Sequence, residues 1–213
     1  MLAEPGVIRL LRFRPAKAAF DAVLRAQILP AMRQLDGLVD VFAGRQGPGD
    51  LGPRLMASVW RSPESMLAAL GASGGPNGTD LEPIDGSTEC ELLWLPLAFG
   101  FRGNVARMPA VLRFVTGQVR PDELVAYIAE AHEGTIADAA AGRGPVALYL
   151  APDPPNAFRT LSVWIDWDTL QAATGGDVNR PIATRHAERL LDWQAEHYEI
   201  LPGLVEPAGA SPV

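Results

Sequence analysis

The sequence predicts an α+β protein made of two copies of one β-α-β-β-α-β unit in tandem. Three observations carry this: a repeat at one fixed separation, the same order of elements in each copy, and enough apolar material for a core. Val7-Ile8-Arg9-Leu10 returns as Val111-Leu112-Arg113-Phe114, and 111 minus 7 is 104. Ser58-Val59-Trp60 returns as Ser162-Val163-Trp164, and 162 minus 58 is again 104. At the same separation Met66 meets Leu170, Ala68-Ala69 meets Ala172-Ala173, and Gly71 meets Gly175. Separate blocks agreeing on one offset without adjustment mark a duplication.

The elements follow in order. Val7 to Phe13 is rich in β-formers and bounded by Pro15, so it reads as a strand. From Ala16 to Leu35 apolar residues fall at Phe20, Leu24, Ile28, Ala31 and Leu35, which is one face of a helix. Pro30 lies inside that pattern, where it removes an amide donor and predicts a kink. Asp36-Gly37 ends the helix. Leu38 to Gly44 and Leu55 to Trp60 are strand-like around a Gly/Pro loop, Gln46 to Pro53, and suit a hairpin. Ser62-Pro63-Glu64 opens a short helix, with proline in the tolerated first turn. Gly71 to Gly78 is a loop, and Glu89 to Leu95 the fourth strand.

In the second copy a strand spans Val111 to Val119 and a helix runs from Pro121 to about Ala141. Strands follow near Val146 to Leu150 and Arg159 to Trp164, then a short helix from Asp168. Arg185 to Leu191 suits a further helix, and symmetry with the first copy makes Trp193 to Leu201 a strand. The boundaries are therefore 5–96 for the first repeat, 97–108 for a linker, 109–202 for the second repeat and 203–213 for a tail. Each unit is ferredoxin-like. Helices cover one face of such a sheet, and two fused copies can cover each other's other face.

Composition excludes several function classes. Hydrophobic residues are 48% of the 213 and charged ones 20%, so a core needs no disulfide staples; the single Cys90 allows no internal one. The net charge of −7, with no basic block, argues against nucleic acid, whose binding rests on phosphate neutralisation. No run approaches the roughly 18 apolar residues of a membrane helix, and Met1 to Gly6 carries no secretory pattern. The expectation is a soluble cytoplasmic protein, either a monomer with an internal pseudo-dimer or a homodimer.

Val7 to Arg14, Leu35-Asp36-Gly37-Leu38-Val39, Ser58 to Met66 and Glu196-His197-Tyr198-Glu199 resemble the antibiotic-biosynthesis monooxygenase-like family of dimeric α+β barrel proteins. The resemblance spans most of both halves and implies an intrachain barrel of the two sheets, with a pocket between sheet and helices. Active members of that family oxidise polycyclic phenols without a cofactor, and relatives degrade haem. They use an Asn with a strand-end Trp, and the haem degraders add a His on the next helix. Trp60 and Trp164 match the Trp. Met56 and Thr160 stand where the Asn belongs, and Leu70 and Thr174 where the His belongs.

Among candidate residues, Trp60 and Trp164 read first as plugs between strand end and short helix, and second as pocket lining. His132 aligns with Ile28 on the inward face of the long helix, so it needs a partner or a ligand and is a candidate base. Tyr127 on that helix and Tyr149 on the next strand complete an aromatic pocket with Trp164 and His132, although core packing accounts for the tyrosines equally well. Arg9 and Arg113 hold equivalent strand positions, which calls for a structural ion pair or, second, a ligand anion. Glu130 and Glu133 read as a solvated face. His186 and His197 lie 11 residues apart (197 minus 186) with no third ligand, so no metal is expected.

The resulting expectation is a monooxygenase-like barrel protein that binds or oxidises a small aromatic or apolar molecule without a cofactor. His132 and Trp164 would be catalytic, and Tyr127, Tyr149, Thr160, Trp60 and Arg113 would hold the ligand. The alternatives are a non-catalytic ligand-binding or assembly protein on the same fold and, third, a haem-binding relative.

Overall fold

The computed structural model describes residues 6–16, 20–47, 51–71, 87–103, 108–182 and 187–201. They fall into two compact units, one drawn from Ala3–Pro96 and Tyr198–Val205, the other chiefly from Leu97–His197. The chain is α+β and each unit is ferredoxin-like, the fold class the duplication predicts.

The first unit holds β1 (Val7–Pro15), helical segments α1 (Phe20–Val23) and α2 (Leu29–Arg33), β2 (Leu38–Arg45), β3 (Arg54–Trp60), α3 (Pro63–Leu70) and β4 (Ser87–Pro96). Its strand order is β4-β1-β3-β2, antiparallel throughout. Between α1 and α2 lies a π-helical turn, Leu24–Ile28, in which the Leu29 amide donates to the Leu24 carbonyl. Pro30 explains it: a proline ring crowds the carbonyl four residues back, and a widened turn relieves the clash. The extra residue shifts the helix phase. The buried face therefore runs Phe20, Leu24, Leu29, Met32, replacing the expected Ile28, Ala31 and Leu35. Gly37 has φ 79°, and a β-carbon there would sit 2.4 Å from that of Ser65, so only glycine fits. Ser62 and Ser65 cap α3 reciprocally, each hydroxyl accepting from the other's amide at 3.2 Å.

The second unit holds β5 (Phe99–Arg102), β6 (Val111–Val119), α4 (Leu124–Ala140), β7 (Ala147–Asp153), β8 (Ala157–Trp164), α5 (Trp167–Ala173) and most of β9 (Leu190–Ile200). The order β9-β6-β8-β7 repeats that of the first unit, and β5 extends it beyond β7. Residues 99–102, inside the stretch read as linker, are thus a strand. The unit boundary falls within β9, whose last residues pair with β2 in the first unit's sheet through Gly44↔Ile200 and Arg45↔Glu199. Of the helix expected over Arg185 to Leu191, the described residues form a 3-10 turn, Ala187–Arg189, followed by the start of β9, while Arg185 lies outside the described residues. The expected loop over Gly71 to Gly78 lies, beyond Gly71, outside the described residues, as do the 203–213 tail and His186.

Register fixes the equivalence of the halves. Val7 faces Trp60 across β1 and β3, and Val111 faces Trp164 across β6 and β8. Both tryptophans are fully buried, and each indole nitrogen donates to the serine two residues earlier on the same strand face, at 2.9 Å in both. The recurring Ser-Val-Trp is thus a self-capped plug: the ring removes apolar area from water while the serine satisfies its buried N–H.

Candidate functional site

A cavity of ≈ 80 Å³ lies within the second unit, between α4 and the sheet. Its floor is built by alternation: Arg113 and Val115 from β6, Leu148 and Leu150 from β7, and Phe158, Thr160, Ser162 and Trp164 from β8 share one sheet face. From α4, Tyr127, Ala131, Gly134, Thr135 and Asp138 point down at helical spacing. Trp193, Leu190, Pro181 and Ile182 close the third side. An open groove of ≈ 540 Å³ adjoins it and shares Asp138, Arg143, Ala173 and Ile182, so access runs between the end of α4 and α5.

Arg113 is the unusual member. It is 2% exposed, its Nε is buried without a hydrogen-bond partner, and Nη2 donates to the Arg180 carbonyl oxygen. None of the ion pairs seen among the described residues neutralises it. Burial depresses its pKa to about 10, partly offset by neighbouring Tyr127. The Tyr127 hydroxyl is pushed up by burial, against the pull of Arg113, so it stays protonated and can donate. Its ring lies 4.5 Å from that of Phe158. Phe158 rests on Gly117 directly across the ladder, where a β-carbon would come within 2.5 Å of the ring.

The loop after α5 covers this cavity and is held by three side-chain bonds to its carbonyls. Arg113 reaches Arg180, Trp193 Nε1 donates to Asn179 at 3.1 Å, and His197 Nε2 lies 3.0 Å from the Val178 oxygen. A carbonyl only accepts, so that histidine nitrogen carries hydrogen. Desolvation lowers the His197 pKa, and the Arg113 charge lowers it further.

Of the residues singled out from sequence, Arg113, Tyr127, Thr160 and Trp164 meet in this cavity, while the others do not. His132 follows the cavity-facing Ala131 by one residue, about 100° around the helix, and its ring packs at a tilt against Phe99 of β5, centroids 4.8 Å apart. Phe99 pairs with the cavity-lining Leu150 across the ladder, so His132 lies on the sheet-facing side of α4 but outside the cavity. Tyr149 is buried but sits between Leu148 and Leu150, so it faces the opposite side of the sheet. Trp60 belongs to the first unit. The Trp164 N–H is taken by Ser162, which leaves its ring as wall. Thr174, in the place of a haem ligand, is buried and donates to the Leu170 carbonyl at 2.9 Å. Glu130 binds Arg189 at 2.8 Å and helps tie α4 to the start of β9. Sequence reasoning missed Phe158, Asp138 and Trp193; the Phe158–Gly117 pairing was legible only once the strand register was known. No group of residues suited to a metal ion occurs among the described residues.

No family model matches the chain, and no curated protein does either. Solved structures do. A protein described as a candidate monooxygenase from Fusobacterium nucleatum is similar at TM-score 0.68 with 12% identity, covering 93% of this chain and 94% of that one. An anthrone oxidase-like protein gives TM-score 0.53 and 12% identity over 94% and 93% of the two chains. A mutant chlorite dismutase from Candidatus Nitrospira defluvii gives 0.54 and 13% over 95% and 94%. At such identities the likeness establishes the fold alone. Three differently named proteins on one fold leave the chemistry to the site.

Proposed function

We propose that this is a monooxygenase-like α+β barrel protein that binds a small aromatic molecule in the second repeat's cavity. One observation carries the reading: an aromatic-walled cavity beneath α4 gathers Arg113, Tyr127, Thr160 and Trp164 on one sheet face and opens to a surface groove. Apolar walls with few convergent polar groups are what a small-molecule site needs. Size narrows the ligand. An apolar cavity holding benzene measures about 150 Å³, so ≈ 80 Å³ takes one small ring with some outward shift of half-exposed Trp193. A polycyclic phenol or a haem would have to lie largely in the groove. His132, packed on Phe99 outside the cavity, is not its base in this reading, and no cofactor is invoked.

The test is calorimetric titration with phenol, benzoate and indole, in the wild-type protein and in Thr160→Trp, which fills the cavity. Saturable binding of at least one probe, abolished in a folded Thr160→Trp, supports the proposal. Failure of all three to bind refutes it. Oxygen uptake by the protein with its bound probe, without added metal or cofactor, separates an oxidising protein from a binding one.

A further inference from the structure

Resting on that reading, we infer that the ligand carries an ionised oxygen, a carboxylate or a phenolate, and that Arg113 is the residue that selects it. Four observations converge. The guanidinium lies on the cavity floor, almost wholly buried. One hydrogen bond is made to a neutral acceptor, the Arg180 carbonyl, and the Nε–H has none. Asp138, which also lines the cavity, pairs at 3.5 Å with Arg143. The Tyr127 hydroxyl, kept protonated, adds a neutral donor beside the cation.

A buried cation without a counter-charge is costly, and an unmet Nε–H adds to the cost. An anionic oxygen placed in the cavity removes both costs, whereas a neutral ring removes neither. Arginine suits the task because its fixed fork offers parallel donors to a planar oxyanion. Arg9, the twin in the first unit, also has an unmet Nε, but its neighbours differ. Position 54, equivalent to Phe158, is an arginine paired with Asp21 at 3.0 Å.

The experiment compares matched ligands of one shape: benzoate against benzamide, and a nitrophenol on either side of its own ionisation. Each is titrated into wild type, Arg113→Met, Arg113→Lys and Arg9→Met. Wild type should bind each anion at least tenfold more tightly than its neutral partner, about 1.4 kcal/mol. In Arg113→Met the ratio of anion to neutral affinity should fall to about one, whatever the change in affinity for the neutral ligand. Arg113→Lys should retain part of the preference, and Arg9→Met all of it. Preference for carboxylate alone, or phenolate alone, names which oxyanion the site takes. Equal binding of both partners by wild type would overturn the inference while leaving the aromatic site standing. Binding of neither member would instead remove the site itself, and anion preference surviving in Arg113→Met would move it elsewhere.

Discussion

Gly117→Ala tests how the cavity is built. A β-carbon at this position would lie 2.5 Å from Phe158 Cζ, 2.6 Å from Cε1 and 3.3 Å from the Asp192 carbonyl oxygen. The Phe158 ring must therefore move. It is 2% exposed and packed with Val115, Val119, Leu124 and Tyr127, so the open direction is the cavity it lines. Two opposing effects set the magnitude. Alanine restricts the unfolded chain and would stabilise by about 0.4–1 kcal/mol at a compatible strand position. Overpacking a core costs about 1–3 kcal/mol. The steric effect wins, but the cavity yields, so the expected net loss is about 1 kcal/mol.

The assay is urea unfolding followed by tryptophan fluorescence, paired with calorimetric titration of an aromatic probe. The variant should show a lower midpoint at unchanged slope and markedly weaker probe binding, because the ring now occupies the ligand's space. Gly117→Ala/Phe158→Leu should recover much of the stability. A Gly117→Ala protein with wild-type midpoint and affinity would show that Phe158 does not rest on Gly117, and the cavity wall would be wrong.

Removing the indole partner in Ser162→Ala should cost about 1–3 kcal/mol, the range for a buried donor left unmet, and Ser58→Ala should match it, since both bonds measure 2.9 Å; additive losses in the double variant, read from urea midpoints, check that the plugs are independent. Asp21→Ala removes the carboxylate that meets the Arg54 guanidinium, 1% exposed, at 3.0 Å, and a loss of up to about 3–5 kcal/mol is expected, most of it recovered in Asp21→Leu/Arg54→Met; thermal unfolding decides. His197 has a folded pKa below its ordinary 6.5, so the unfolded chain binds the extra proton first: stability should fall as pH drops through 6.5, level off below the folded value, and lose part of this slope in His197→Gln.

The duplication was legible because strands carry it. Ser-Val-Trp and Val-x-Arg-x repeat at one offset, and strand register keeps residue-by-residue equivalence through both halves. The same offset failed on helices. One π turn before Pro30 moves the buried face by a residue, from Ile28 to Leu29. Arg113, Tyr127, Thr160 and Trp164 could be selected from sequence because the resemblance and the repeat both point to the helix-covered face of the sheet. Tyr149 could not be sorted from them, since the strand's burial on both faces erases the alternation that would assign a side. The cavity-closing role of Trp193 and of the loop from 176 to 182 was not legible; it depends on long-range bonds to backbone carbonyls, which no local pattern encodes.

The two repeats fill one rung of the sheet in opposite ways, and that contrast supports the site proposed in the second. Beneath the first helix, Phe13 faces Arg54 across the ladder; Phe13 stacks edge-on with Phe20 at 5.1 Å, and Arg54 is neutralised by Asp21. At the equivalent rung of the second repeat stand Gly117 and Phe158. The ring has changed strands, the ion pair is gone, and a void remains beside a cation that no described carboxylate neutralises. The sister repeat proves that this scaffold can fill the same position with a neutralised pair. A ligand of the proposed kind would complete in the second repeat the position that the first fills with its own side chains.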